Sequence, residues 1–262
     1  MKLFERDYET ICSKEEEDAQ KQYSKYSQLR FRTVDGDQRF THPNLECRKF
    51  LWRHNSLFPN NHLEPLWVFK DIDFLSEIDN YRKLIYDNGE ESEIQKHIKE
   101  GRRWFIPSSI LEDYNFGHHD AYLFPELKLG FEYVVDYALL GKNSDGWHVV
   151  FVEFEKADCD FILKNQNSES KEVRAGLTQI RNWELWVHNH REYFLKSSGI
   201  SDKGVDIPII RFFYCLVVSR RDKMDERAKL LRSQICYKNS SLKIMSFDRL
   251  ADNLQKAYNF NF

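Results

Sequence analysis

The stretch Val149-Val150-Phe151-Val152-Glu153-Phe154-Glu155 decides how this chain is read. Apolar residues fall on both faces of the run over residues 147–156, the pattern of a central strand covered on both sides. It ends in two carboxylates, and burying an ionised carboxylate costs several kcal/mol unless it is paired, protonated or bound to a cation. Upstream, residues 131–140 form a second β-rich run with Asp136 inside it, and Gly141-Lys142-Asn143-Ser144-Asp145-Gly146 supplies a turn between the two. With Leu140 opposite Trp147, Asp136 faces Phe151, and the two-residue period of a strand puts Asp136, Glu153 and Glu155 on one side of the sheet. Asp136 and Glu153 are then diagonal neighbours, roughly 7–8 Å apart at the backbone. The competing reading is a pair of salt-bridged strand ends at a solvated rim.

Three carboxylates on one face repel, and a divalent metal resolves the conflict. Asp136, Glu153 and Glu155 are the expected metal ligands, for Mg²⁺ or alternatively Mn²⁺, hard ions that prefer oxygen. Such an ion activates a bound water and stabilises charge developing on a phosphate. A lysine near the water would position or deprotonate it. Lys156 is nearest in sequence, but on an ideal strand it points away from Glu153 and Glu155, so either the strand twists there or the amine comes from elsewhere.

Outward from this pair, residues 171–190 read as a helix, with Val173, Leu177, Ile180 and Leu185 among its apolar positions. Gly176, Gln179, Trp183 and Trp186 share a face by helical spacing. Trp183 and Trp186 read as core; Gln179 reads either as a polar margin residue or as the partner of a metal-site carboxylate. Residues 207–219 are expected to be a fully buried strand, 222–236 a helix, 242–247 a short strand, and 248–258 a closing helix with Asp248 as N-cap. Before the pair, 91–103 reads as a helix with Ile94 and Ile98 on one face, and its Glu91 and Glu93 read as solvated surface. The order implies a mixed α/β sandwich.

The turn-rich Asp87-Asn88-Gly89-Glu90 marks a boundary between an N-terminal accessory region, residues 1–89, and a catalytic region, residues 90–262. The accessory part reads as a charged helix over 13–28 with a weak apolar stripe, a hairpin over 29–40 turning at Val34-Asp35-Gly36-Asp37, the apolar groups Phe50-Leu51-Trp52 and Leu66-Trp67-Val68-Phe69, and a helix over 74–86.

An Asp in one strand, a hairpin, Glu-x-(Glu/Lys) in the next strand and then a helix resembles the PD-(D/E)XK nuclease superfamily. More narrowly, the chain from about Glu91 onward is similar to the Shedu family of anti-phage nucleases. The resemblance is carried by Glu93-Ile94-Gln95-Lys96-His97-Ile98, by Phe124-Pro125-Glu126-Leu127-Lys128-Leu129-Gly130 leading to Val135-Asp136-Tyr137, and by Val152-Glu153-Phe154-Glu155-Lys156. Gly176-Leu177-Thr178-Gln179-Ile180-Arg181-Asn182-Trp183 and Ile244-Met245-Ser246-Phe247-Asp248-Arg249-Leu250 complete it. It implies a restriction-endonuclease-like core, a central mixed sheet flanked by helices, and metal-dependent cleavage or nicking of DNA by a homo-oligomer in prokaryotic defence. It also implies that Asp136 and Glu153 ligate the metal, with Glu155 or Lys156 in the usual lysine position and either Glu91 or Glu93 as the extra acidic residue of the preceding helix. Glu155 departs from the commonest Glu-x-Lys pattern. A nuclease fold that has lost its chemistry and serves as a binding or assembly module is the alternative.

Composition sets the limits on partners. With 39 Lys and Arg against 42 Asp and Glu, the net charge is -3, so DNA contact must come from local basic surface, be strongly salt-dependent, or be reinforced by oligomerisation. Arg220, Arg221, Lys223, Arg227, Lys229 and Arg232 form the densest basic run, though Asp222, Asp225 and Glu226 interleave with it; Lys171, Arg174 and Arg181 are the other phosphate candidates. His118-His119 and His188-x-His190 lack zinc-ligand spacing. Five scattered cysteines without a CxxC fit a reducing cytoplasm. The longest apolar run is interrupted by Arg211 and is too short to span a membrane, so a cytoplasmic location without membrane contact is expected.

Overall fold

The structure is a computed structural model and describes residues 3–30, 42–63, 73–164, 166 and 168–260. The chain divides into two units, Lys2–His62 and Leu63–Phe262. In the first, α1 (Lys14–Arg30) and α2 (Leu45–His54) enclose a small core of Ala19, Cys47, Phe50 and Leu51, with Tyr8 and Tyr23 packed against it. Asn44 starts α2 by accepting the Glu46 and Cys47 backbone N–H groups at 2.8 and 3.3 Å, as an N-cap does. Leu29 and Arg30 end α1; the rest of the hairpin expected over 29–40, and Leu66 to Phe69, lie outside the described residues.

The second unit runs α3 (Phe74–Asp87), α4 (Glu91–Glu100), the short α5 (Phe105–Ser108), β1 (Asp120–Leu129), β2 (Tyr133–Asn143), β3 (Gly146–Phe154), α6 (Lys171–Ser197), β4 (Phe212–Val217), α7 (Glu226–Lys238), β5 (Leu242–Met245) and α8 (Phe247–Phe260). The strands form one sheet in the order β1-β2-β3-β4-β5. β1, β2 and β3 are antiparallel; β3, β4 and β5 are parallel, joined through α6 and α7. It is an α/β fold with a mixed sheet flanked by helices. β3 is central and covered on both faces: Phe151 packs on Trp183 and Phe194 of α6, while Phe154 packs on Tyr137 and on Phe247 of α8. Among the described residues no helix is long and apolar enough to cross a membrane.

The β2–β3 hairpin is tighter than the turn residues suggest. Asn143 pairs with Gly146, and its side-chain oxygen accepts the N–H groups of Asp145 and Gly146 at 2.9 and 3.2 Å. This side-chain-closed turn leaves two loop residues. Leu140 therefore faces Val149 rather than Trp147, and Tyr137 faces Val152 at the end of the ladder; the same register carried one residue further sets Asp136 across from Glu153 rather than Phe151. The register moves by two residues, so the faces keep their parity.

Other expectations are corrected. β1 is a full strand at the sheet edge although it contains Pro125, which an edge tolerates because one side of its backbone needs no partner. The strand expected over 207–219 starts only at Phe212, after a 3₁₀ turn over Ile209–Arg211 in which Ile210 is 80% exposed. α7 starts later than expected, because Asp225 caps it by accepting the Ala228 N–H at 2.8 Å. Asp248 does not cap α8. It lies in the first turn and accepts the Arg221 backbone N–H at 2.7 Å and the Tyr86 hydroxyl at 2.9 Å.

α3 buries Phe74, Ile78, Tyr81 and Ile85 and packs on α8, where the Tyr81 hydroxyl donates to the Phe247 carbonyl at 3.3 Å. The division expected between residues 89 and 90 thus lies within the sheet-bearing unit.

Candidate active site

Register places the first two carboxylates together. Asp136 Oδ2 accepts the Phe154 backbone N–H at 2.8 Å, which pins it at the end of β3. Glu153 is 8% exposed and faces α6; its Oε1 accepts from Gln179 Nε2 at 2.9 Å. The other oxygen, Oε2, is buried with no hydrogen-bond partner among the described residues. Glu155 follows the end of β3 and donates its backbone N–H to the Val217 carbonyl at 2.9 Å. α6 closes over Glu155 at Gly176, where a Cβ would lie 3.1 Å from Glu155 Cγ and 3.3 Å from its Oε1, and would collide with Leu216 Cδ1. Only a glycine lets the helix come this near.

The fourth acid comes from α4. Glu91, half-buried, adds its charge to Asp136, Glu153 and Glu155, whereas Glu93 on the same helix is exposed. Burial raises the Glu91 carboxyl above its ordinary range. Burial likewise raises Glu153 far above the usual carboxylate range, with repulsion from Asp136, Glu155 and Glu91 adding to it. Asp136 is raised chiefly by burial; its hydrogen bond from Phe154 opposes the shift. Glu155 is pushed up to about 7, by burial first and then by Glu91, Asp136 and Glu172. This cluster holds more negative charge than its surroundings compensate.

Asp136, Glu153, Glu155 and Gln179 are brought together; Lys156 is not. Its Nζ donates to Glu90 Oε1 at 2.5 Å, at a largely solvated position. A cation near the cluster is Lys99, on α4, which holds Glu126 at 2.7 Å and stabilises the charged forms of Asp136 and Glu91. Glu126 adopts a left-handed φ of 53° on β1, between the pairs Pro125–Tyr137 and Leu127–Val135 and so beside Asp136. Lys99 was not legible as a site residue. The signal was the polar series Glu91, Gln95, Lys99 at i, i+4, i+8, whose middle member accepts the Tyr137 hydroxyl at 2.5 Å.

The end of β3 is knitted to α4 by the backbone: Gly89 accepts the Ala157 N–H at 2.8 Å. Arg220 reinforces this junction. It is buried and donates to the carbonyls of Ile85 and Tyr86 at 2.8 and 3.1 Å, to Asp158 at 3.0 Å and to Asp222 at 3.1 Å. Lys223 is held by Asp158 at 2.8 Å. Neither therefore belongs to an exposed phosphate-tracking patch. Trp183 and Trp186 are buried, as core residues. His190 stacks on Trp186, and the rings of His118 and His119 lie against each other at a tilt of 50°.

Among the described residues no three histidine, cysteine or acidic side chains stand close enough together to enclose an ion. The donor set nevertheless suits Mg²⁺, which takes one or two carboxylates and keeps several waters. A cation at Glu153 Oε2 would satisfy the orphaned oxygen and relieve the repulsion around it. No curated protein matches the chain. Residues 88–251, more than half of it and including every residue of this site, match the family described as Shedu protein SduA, C-terminal.

Proposed function

The chain belongs to the Shedu family, and from that footing we propose that it is a metal-dependent DNA endonuclease, nicking its target in prokaryotic anti-phage defence, on a PD-(D/E)XK-type core. The observation that carries the reading is Glu153: a buried carboxylate with one oxygen unpartnered among the described residues, repelled by three further acids. Mg²⁺, or Mn²⁺ in its place, would be held by Asp136 and Glu153 with Glu155 beside them. When bound, it activates water and offsets charge on the phosphate.

The chain's own residues prepare that site. Gln179 fixes one oxygen of Glu153 and leaves the other for the ion. The Phe154 N–H orients Asp136. Lys99 supplies the cation that a Glu-x-Lys pattern would place at position 155, and stabilises negative charge at the scissile phosphate. Lys156 holds Glu90 and so supports the start of α4 beside the site. The N-terminal accessory region regulates cleavage or selects the target, and homo-oligomers multiply the weak contacts a near-neutral chain makes with DNA.

Supercoiled-plasmid cleavage tests the reading. Nicked product is expected from the wild type with Mg²⁺ or Mn²⁺, with none in EDTA and none from Glu153→Ala. Cleavage that survives either change overturns it. A second reading, a silent binding or assembly module, is favoured by Glu155 in the lysine position and by Lys156 turned to Glu90. It is distinguished by calorimetry, since a silent module gives no Mg²⁺ or Mn²⁺ heat that disappears in Asp136→Ala.

A further inference from the structure

A cleft of about 500 Å³ runs along β5, at the edge of the sheet, between α7 and the first turn of α8. Arg221, Lys229, Arg232, Lys243 and Arg249 line it, against one lining carboxylate, Asp113. Asp113 is committed: it takes Arg249 at 2.6 Å and Asn253 at 2.6 Å, while Lys243 donates to its backbone carbonyl. These contacts hold Lys243 and Arg249 in place as a fixed cationic wall. The opposite wall is available. Arg221 pairs with Asp252 and Lys229 with Glu226 only at the solvated surface, where ion pairs contribute little and exchange readily. Arg232 has no hydrogen-bond or ion-pair partner among the described residues.

A chain with a net charge of -3 that concentrates five cations in one concave site has built an anion site there. Among the described residues no aromatic ring lines the cleft, so it offers no ring for a base to stack on. Its chemistry is recognition of phosphates alone. Its position relates it to the carboxylates: Glu153 pairs with Leu216 and Leu216 with Ile244, which lines the cleft. Two strand spacings put Ile244 about 10 Å from Glu153 at the backbone.

We propose that the β5 cleft is a phosphate-backbone site that grips the nucleic acid beside the carboxylate cluster. The inference rests on reading the chain as a nuclease and assigns the surface by which that substrate is held.

The test uses the full-length chain in EDTA, so that cleavage plays no part, with a fluorescently labelled duplex titrated between about 50 and 200 mM salt. Arg232→Gln should lower the slope of log affinity against log salt by about 1, and Arg221→Gln/Lys229→Gln/Arg232→Gln by about 2 to 3, the loss expected for one phosphate contact per cation. The affinity of the triple variant should fall at least tenfold at the lowest salt. Unchanged slope and affinity in a triple variant that melts like wild type overturn the proposal, as does a wild type that leaves the duplex unbound at every salt. If the triple variant does not fold, Arg232→Gln alone decides. Pyrophosphate is titrated in parallel: a pyrophosphate heat lost in the variant while duplex binding stays unmoved makes a free phosphate compound the ligand and overturns the nucleic-acid assignment. Metal calorimetry on the same variants, freed of EDTA by dialysis, reads the carboxylates separately, so failure of the nuclease reading is told apart from failure of the cleft.

Discussion

Glu153 holds a proton more tightly in the folded chain than in the unfolded one, and so do Asp136 and Glu155. Unfolding then releases protons, and stability falls as pH rises. Their contribution is complete below the ordinary carboxylate values and is lost as pH climbs through the folded values, which for Glu155 means from 4.5 to about 7. The metal-free protein should therefore lose stability progressively as pH rises, with Glu155 alone contributing a fall of about 1–2 kcal/mol between about pH 4.5 and 7 once solvent screening of its half-exposed carboxyl is allowed for. Glu153→Gln removes the most strongly shifted carboxyl while keeping an oxygen for Gln179. It should leave the metal-free melting temperature unchanged or raise it, and should flatten the pH trend. A large loss of stability in Glu153→Gln would favour a structural ion pair instead. Mg²⁺ at a hundred times its dissociation constant should restore about 2.7 kcal/mol at pH 8 in the wild type and little in the variant. The two lysines separate by activity: Lys99→Ala should lower the nicking rate about 10- to 100-fold, and Lys156→Ala less than about threefold, measured on the same plasmid.

At the scale of elements, α6 is the part whose placement the site needs most. Gly176 sets its distance from the sheet, with Leu216 and Glu155 directly beneath. Gly176→Ala adds a good helix former, worth about 1 kcal/mol on an open helix, but forces a methyl group into a packed contact that costs about 1–3 kcal/mol. The expected outcome is a lower melting temperature together with weaker metal binding, because Gln179 moves with the helix. A melting temperature above wild type would show that α6 has room to spare. The elements also show what was legible. β3, α4, α6 and α8 were readable because each carries its own period, apolar on both faces for β3 and stripes for the helices. β1 is hidden in the sequence because Pro125 and its charged residues mask the strand period, and only pairing with β2 makes it a strand. Residues 207–211 look like strand by composition, yet Ile209 and Ile210 are exposed where Pro208 opens a turn. For the site, the carboxylates and Gln179 were legible because such residues are out of place in apolar runs. Lys99 was not, because a lysine on a helix is ordinary until a strand brings Glu126 and Asp136 beside it.

For the whole molecule, the position of α3 determines where the chain can be cut. A fragment starting at residue 63 keeps Phe74, Ile78, Tyr81 and Ile85 on α8 and should fold with a cooperative melt. A fragment starting at residue 90 loses those four buried side chains, each contributing roughly 1.5–3 kcal/mol, and should aggregate or melt without cooperativity. Circular dichroism melts of the two fragments decide between them, and equal stability would show that α3 is dispensable. The regulatory role proposed for the accessory region is then best tested with the longer fragment, whose plasmid nicking should differ from that of the full chain in rate or in target choice.

The sequence by itself determined the class of fold, the central strand, the shared face of Asp136, Glu153 and Glu155, and the family, because residue type and local period carry that information. Tertiary structure alone decided the two-residue register, the choice of Glu91 over Glu93, the pairing of Lys156 with Glu90, the cation at Lys99, and the cleft along β5. Each of these depends on which distant segments meet, and no local pattern encodes a contact between groups brought together only by the closed sheet and its helices.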